Sequence, residues 1–220
     1  MTKSPDISFI LPSCRPYEKF AKLMVDSIYA HCTKTFEIIY ISRTNPEDNR
    51  LFFIEEKPTN EGSVQPINEA YHYALGDFIC LVNDDFVLED DIAGDVDGMG
   101  LYEALSIRPS TWTNDNFGRI PDGGCPNIPN IPMMPFPLLS KELIANLLHH
   151  YLLNTRFHHH YSDCWLAFFL YKRLGKIGLT NCRIKQTSDE HRIHKYDTVD
   201  YNLYSQLVNS YTQRAFYNEC

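Results

Sequence analysis

The 220-residue sequence lacks most of the features that would direct it to a nucleic acid, a membrane or the cell exterior. Lysine and arginine number 20 against 28 aspartates and glutamates, a net charge of -8, whereas a polyanion binder needs basic residues gathered on one face. No apolar run approaches the roughly 18 residues of a membrane span. Residues 1–6 are mostly polar, and Ile7 to Pro12 is too short for the apolar stretch of a secretory leader. The seven cysteines are odd in number and form no CxxC pair. That argues against a zinc ribbon or a disulfide framework, and for free thiols in a reducing compartment. There is no HExxH, no internal repeat and no low-complexity tract, and Pro12-Ser13-Cys14-Arg15-Pro16 has no glycine with which to cradle a phosphate. These absences lead to the expectation of a soluble, cytoplasmic protein that binds no nucleic acid and has no transmembrane segment.

What is present is an ordinary globular composition, 44% hydrophobic and 22% charged. A chain of this length buries roughly 70% of its unfolded surface, enough for one domain with a real core. Ile7 to Leu11 is a short apolar run that predicts a buried strand. Tyr17 to His31 has apolar residues at helical spacing, and Phe36 to Ile41 predicts a second strand. Strand, helix, strand within so short a stretch is a βαβ unit with a parallel pair. Leu51 to Glu56 is a further candidate strand. Pro66 to Leu75 has helical spacing and meets Gly76, a candidate helix C-cap. Asp77 to Val82 then has high strand propensity. Seven of the thirteen prolines lie from Pro109 to Pro137, so residues 94–137 are expected to be a long loop region with one or two strands, Ser110 to Trp112 for example. Ser140 is a candidate N-cap for a helix to Tyr151. Ser162 to Leu174 predicts another helix that stops at Gly175, Ile177 to Leu179 and Ile184 are extended candidates, and Tyr201 to Tyr217 is expected to be helical.

The chemistry concentrates in Asn83-Asp84-Asp85, directly after the strand at Asp77 to Val82. In an open parallel sheet, ligands bind at the carboxyl ends of the strands. Two adjacent carboxylates there are a costly concentration of like charge unless something positive joins them. A divalent cation carried by a substrate diphosphate would do so, and Mg²⁺ or Mn²⁺ often takes only one or two protein carboxylates. The competing reading is a simple polar turn.

Several blocks in order resemble family 2 glycosyltransferases of GT-A type. The stretch Gly76-Asp77-Phe78-Ile79-Cys80-Leu81-Val82-Asn83-Asp84-Asp85 is similar to their acidic-motif strand, and Ile7 to Pro16 to their first strand and loop. Phe36 to Ser42 resembles their second strand, and Asn68-Glu69-Ala70 with Ala74-Leu75-Gly76-Asp77 the helix before the acidic motif. Tyr161 to Ala167 with Leu174 to Ile177 resembles their later acidic helix. The resemblance implies an α/β fold, a single GT-A (Rossmann-like) domain with a central mostly parallel sheet flanked by helices. Residues 1–90 would be the nucleotide-sugar-binding half, 91–195 the acceptor and catalytic half and 196–220 a helical tail. It implies transfer of a sugar from a nucleotide sugar, UDP- or GDP-linked, to a hydroxyl of a glycan, protein or small molecule, metal-dependent and inverting. Pro12, Ser13, Arg15, Ser42, Asn68, Asn83 and Asp84 would bind the donor, and Asp85 with His191 or His194 would ligate Mn²⁺ or Mg²⁺. Asp163 would be the general base. Departures are visible: Ser42 and Arg43 stand where acidic residues usually follow the second strand, Asn83 replaces a first aspartate, and Ser162 replaces a glutamate. A catalytically degenerate binder of nucleotide sugars or glycans, or a nucleotidyltransferase, are the alternatives.

Other residues invite both structural and functional readings. Asp163 at a helix start could be a cap as well as a base. The run His158-His159-His160 is read as a solvated loop rather than a zinc site. Trp112 is a candidate sugar platform or a core residue, Gly123-Gly124 a candidate loop hinge, and Arg183, Lys185 and Arg192 either diphosphate contacts or surface.

Overall fold

Strand and helix alternate through the first part of the chain because apolar residues there switch between a period of two and a period near 3.6. In the computed structural model, which describes residues 4–60, 62–100, 103–111, 134–159, 161–188 and 197–217, with side chains of the last segment through Tyr211, the elements are as follows. Strand β1 (Ile7–Pro12) leads through a short 3-10 turn (Tyr17–Lys19) to α1 (Ala21–His31). Then come β2 (Phe36–Ser42), β3 (Phe52–Glu55), α2 (Val64–Tyr73), β4 (Phe78–Leu81), β5 (Phe86–Leu88) and α3 (Ala93–Gly98). The chain continues with β6 (Ala104–Pro109), β7 (Pro137–Ser140), α4 (Lys141–Leu147), α5 (Ser162–Leu174), β8 (Gly178–Gln186) and α6 (Asp197–Tyr217).

The described strands form a single eight-stranded mixed sheet in the order β3-β2-β1-β4-β7-β6-β8-β5. Neighbours β3, β2, β1 and β4 are mutually parallel. β7 runs antiparallel between β4 and β6, and β5 antiparallel along β8. Both faces of the sheet are apolar. Ile39, Ile41, Ile79 and Leu81 face one core with residues of α2, α4, α5 and α6, whereas Ile38, Tyr40, Cys80 and Val82 face the other with residues of α1 and α3. This is the period-two alternation of a strand buried on both sides, in a sheet covered by helices on both faces. The fold is thus the expected α/β domain, and no described helix is long and apolar enough to cross a membrane.

Five expectations change. The predicted helix from Tyr17 starts only at Ala21, because Phe20 (φ -124°, ψ -79°) interrupts it and buries its ring. Gly76 is no helix cap: α2 ends at Tyr73, and Ala74 is already extended. Gly76 is needed because a Cβ there would lie 2.6 Å from the Ser8 nitrogen and 2.7 Å from the Ile7 carbonyl carbon. The region expected to be loop contains α3 and β6, and β7 begins on its last proline. The two extended candidates around Ile177 and Ile184 join as one strand, β8. Cys14, Cys32, Cys80 and Cys182 are outside any disulfide, but Cys164 is disulfide-bonded, against the expectation of free thiols throughout. Gly175 ends α5 in the left-handed region (φ 76°), and the Ser140 Oγ caps α4 by accepting from the Leu143 N–H at 3.0 Å, both as expected.

Candidate active site

The order of the sheet reverses between β1 and β4: the chain first builds outward from β1 to β2 and β3, then returns to the other side of β1. Crevices outside the carboxyl ends of strands at such a point are where open α/β sheets take ligands. β1 and β4 pair in register from Ile7 with Phe78 to Ile10 with Leu81, so the residues at and beyond their carboxyl ends lie side by side. They are Pro12, Ser13 and Arg15 on one side, and Asn83, Asp84 and Asp85 on the other.

The contact between the two sides is an ion pair. Arg15 donates from Nε to Asp84 Oδ2 at 2.9 Å and from Nη2 to Asp84 Oδ1, while Ser13 donates its hydroxyl proton to Asp84 Oδ2. The same Nη2 lies 3.4 Å from Asp85 Oδ1. The guanidinium sits over the Phe20 ring, 4.3 Å from its centroid. Fork-on-carboxylate geometry with two parallel N–H bonds is the strong form of this pairing. Its hydrogen bonds to Asp84 raise the Arg15 pKa further. Asp85 follows in the same turn and keeps its side chain partly open to solvent, 19% exposed. Burial raises its pKa above the usual carboxylate value, against the lowering effect of Arg15. Asp84-Asp85 is therefore both a turn and a charged site. Its backbone is pinned where the Asp85 carbonyl accepts from Thr187 N–H at 2.8 Å, just beyond β8.

On the β2 side, Ser13 N–H donates to the Ile41 carbonyl at 2.9 Å, and Pro12 stands in register with Ile41. The buried Tyr40 side chain stands close to Ser42 and Ser13, and burial raises its pKa. Ser13, Arg15, Asp84 and Asp85 thus form one linked set, with Tyr40 and Ser42 beside it. Tyr40 was not among the expected residues; its only sequence signal is a hydroxyl in the otherwise aliphatic run Ile38-Ile39-Tyr40-Ile41. Asn60 is a second addition. It lies in the loop that leaves the carboxyl end of β3, it is buried, and neither its Nδ2 nor its Oδ1 has a hydrogen-bond partner among the described residues. A buried amide left unpaired is costly. No sequence pattern marks Asn60 out from a turn residue.

The remaining candidates are placed differently. Asn68 is buried in α2, where its amide donates to the Leu153 carbonyl at 2.8 Å and accepts from the Leu153 N–H at 2.9 Å. Its side chain fastens α2 to the segment before α5. Asp163 lies in the first turn of α5 and is partly exposed; it is not the cap, a position occupied by Tyr161 with left-handed backbone (φ 60°). A carboxylate in a first turn is favoured by the helix dipole. Together with burial, which is the larger effect, the Asp163 charge raises the pKa of Tyr204 in α6. His158 and His159 of the histidine run are not simply solvated. His158 and His159 are half-buried, and their N–H groups donate to the buried carboxylate of Asp200 at 3.0 and 2.8 Å, while His159 Nδ1 meets Ser63 Oγ at 2.6 Å. Arg183 pairs with Asp90 on the surface, Nε to Oδ2 at 2.9 Å. His160, His191, His194, Arg192, Trp112, Gly123 and Gly124 lie outside the described residues. Among the described residues no group of three His, Cys, Asp or Glu side chains is gathered to hold a metal. Asp85 is the more open of the pair, since Arg15 and Ser13 occupy both Asp84 oxygens, which suits a cation that takes one protein carboxylate and completes its shell with phosphate and water.

No protein-family model matches the sequence, and no curated protein matches it significantly. Solved structures do. The mannosyltransferase PcManGT from Pyrobaculum calidifontis, in complex with GDP-Man and Mn²⁺, superposes with a TM-score of 0.62 at 15% identity, over 86% of this chain and 59% of that one. S. aureus TarS residues 1–349 in complex with UDP gives 0.57 at 14% identity, over 84% and 58%. The same protein with UDP-GlcNAc gives 0.57 at 15% identity, over 84% and 56%. The chain spans under three fifths of the length of each. At such identities the likeness establishes the fold, which is of GT-A type.

Proposed function

We propose that this chain is a glycosyltransferase that moves a sugar from a UDP- or GDP-linked donor to an acceptor hydroxyl, with inversion and with Mn²⁺ or Mg²⁺. The observation that carries the reading is the Asp84-Asp85 turn facing Ser13 and Arg15 at the switch point of a GT-A-type sheet. Its solved likenesses are bound to UDP, UDP-GlcNAc and GDP-Man. In this reading the nucleoside lies along Pro12, Ser13, Tyr40 and Ser42. Asn83 lies beside the ribose or sugar, Asp85 with His191 or His194 holds the cation, and a bound cation supplies charge neutralisation for the leaving diphosphate. Asp163 removes the proton from the acceptor hydroxyl as its oxygen bonds to the anomeric carbon from the face opposite the diphosphate. The bond from that carbon to the diphosphate oxygen breaks at the same time, releasing the nucleoside diphosphate. A partly exposed carboxylate suits a general base that must reach an incoming alcohol. The acceptor is a hydroxyl of a glycan, a protein or a small molecule.

The test is a thermal-shift series with UDP, GDP, UDP-GlcNAc and GDP-Man, with and without Mn²⁺. A ligand at a hundred times its dissociation constant stabilises by about 2.7 kcal/mol, or about 5–10 °C for a domain of this size. No shift with any of them sinks the donor site. Asp85→Ala is expected to abolish the Mn²⁺-dependent part of the shift. Asp163→Asn is expected to keep the shift and abolish turnover. A second reading, a binder of nucleotide sugars without turnover, is favoured by one observation: both Asp84 oxygens are already held by Arg15 and Ser13. It predicts donor shifts with no released nucleotide from the wild type or from Asp163→Asn.

A further inference from the structure

We infer that Arg15 is the resident counter-cation of the Asp84-Asp85 pair, so that a divalent cation reaches Asp85 only in company with a diphosphate. The inference deepens the reading above and depends on it for the identity of the diphosphate.

Two neighbouring carboxylates at a sheet edge must be neutralised by something, and here a side chain does it. The Arg15 and Asp84 side chains are 8% and 10% exposed, so the pair is nearly dry. Both Asp84 oxygens accept from Arg15, and one accepts from Ser13 as well. The guanidinium is further held over Phe20. A planar fork in such a setting is a fixed part of the site, because separating a buried pair leaves an uncompensated charge behind. Asp84 is therefore closed to a metal, and Asp85 is the open carboxylate. A dication approaching Asp85 meets the Arg15 Nη2, which stands 3.4 Å from Asp85 Oδ1. At that range like charges repel strongly wherever water is scarce. No three-donor group among the described residues offsets the repulsion. A diphosphate does, since its negative charges satisfy Arg15 and the cation together. Arg15 thus sets the condition under which the metal binds. It keeps the acidic pair quiet in the empty protein and contributes its remaining N–H donors to the phosphates when they arrive.

Electron paramagnetic resonance of unbound Mn²⁺ tests this without any acceptor or turnover. For the wild type, Mn²⁺ alone should bind weakly, and adding UDP or GDP should tighten it at least about tenfold. Arg15→Gln should bind Mn²⁺ alone at least about tenfold more tightly than the wild type, because one positive charge near Asp85 is gone. Arg15→Lys, which keeps the charge, should stay weak. Equal Mn²⁺ affinity with and without a nucleotide that itself shifts melting, or an Arg15→Gln protein no tighter than wild type, overturns the inference. Should Arg15→Gln fail to fold, Asp84→Asn decides. It releases Arg15 toward Asp85 and should weaken Mn²⁺ binding in the presence of UDP or GDP by about tenfold; unchanged affinity overturns the inference. If neither nucleotide alters melting or the Mn²⁺ signal, the functional reading fails, while Mn²⁺ alone on Arg15→Gln still decides the role of Arg15.

Discussion

Cys14 sits between Ser13 and Arg15, the two residues that hold Asp84, and its side chain is exposed. Among the described residues the other thiols outside disulfides are shielded: burial pushes Cys32 up to about 11 and Cys182 up to about 12, and raises fully buried Cys80 well above its ordinary value. Since the thiolate is the reacting form, N-ethylmaleimide at neutral pH should modify Cys14 ahead of Cys32, Cys80 and Cys182. Donor nucleotide should protect it, as peptide mass mapping will read. Asp85 adds a pH dependence. Its raised pKa means that it takes up a proton at a higher pH than a solvated aspartate. Mn²⁺-dependent nucleotide binding should therefore weaken on acidification from above the ordinary carboxylate range, and Asp85→Asn should flatten that limb in titration calorimetry. The stability effect has the opposite sign. The charged form is penalised in the fold, so this group favours the native state as pH falls through its raised pKa. The sequence pointed to Asp84 and Asp85 through their place after an apolar strand. Nothing local could say that Asp84 is closed and Asp85 open, because the partner that decides it is 69 residues away.

Elements are joined by a few contacts whose loss is measurable. A Cβ on Gly76 would strike the backbone of β1 at Ser8 and Ile7, whereas one on Gly178 would meet only the tip of the Leu105 side chain, Cδ2 at 2.7 Å. Backbone cannot yield as a side-chain tip can. Gly76→Ala should cost about 3 kcal/mol and Gly178→Ala less than about 1 kcal/mol, a difference of several degrees in melting temperature. The tail is anchored in a different way. Asp200 of α6 has no exposed surface and accepts from the N–H groups of His158 and His159 and meets His158 Nδ1 at 3.2 Å. Asp200→Ala should cost about 3 kcal/mol by leaving those donors unpaired, and should speed hydrogen exchange in α6 before the central strands. Helices α1, α2, α4 and α5 were legible, through 3.6-residue spacing and through caps such as Ser140 and Gly175. The strands β6 and β7 were not. Proline at Pro109 and Pro137 suggests loop, and only pairing across the sheet turns both segments into strands. β8 carries a real signal, since Thr180, Cys182 and Ile184 point inward while Asn181, Arg183 and Lys185 point out. Polar Thr180 hides that alternation from a reading by hydrophobicity.

At the scale of the whole molecule, one sheet separates two apolar cores, and every central strand contributes to both. Neither core can be lost without exposing the opposite face of the same strands. Calorimetry should therefore record a single unfolding transition, with a heat-capacity change of about 3 kcal/mol/K for a chain of this length. Two separated transitions would show that the two halves of the chain fold independently. The net charge of -8 sets a condition on the same scale: an acidic protein that receives a diphosphate must carry its positive charge locally, at Arg15 or on a cation.

By itself the sequence determined what is local: the βαβ start, the presence of α1, α2, α4 and α5, and the turn at Asp84-Asp85 at the end of an apolar strand. These depend on side-chain periodicity and on turn chemistry between near neighbours. The tertiary structure alone decided that Asn68 fastens α2 to Leu153, that the histidines at 158 and 159 dock α6, and that Arg15 stands inside the acidic pair. Each of those is a contact between residues distant in sequence. Such a contact is settled by which strand ends the sheet order brings together and by the need of every buried charge and amide for a partner, and neither is written into the residues beside it.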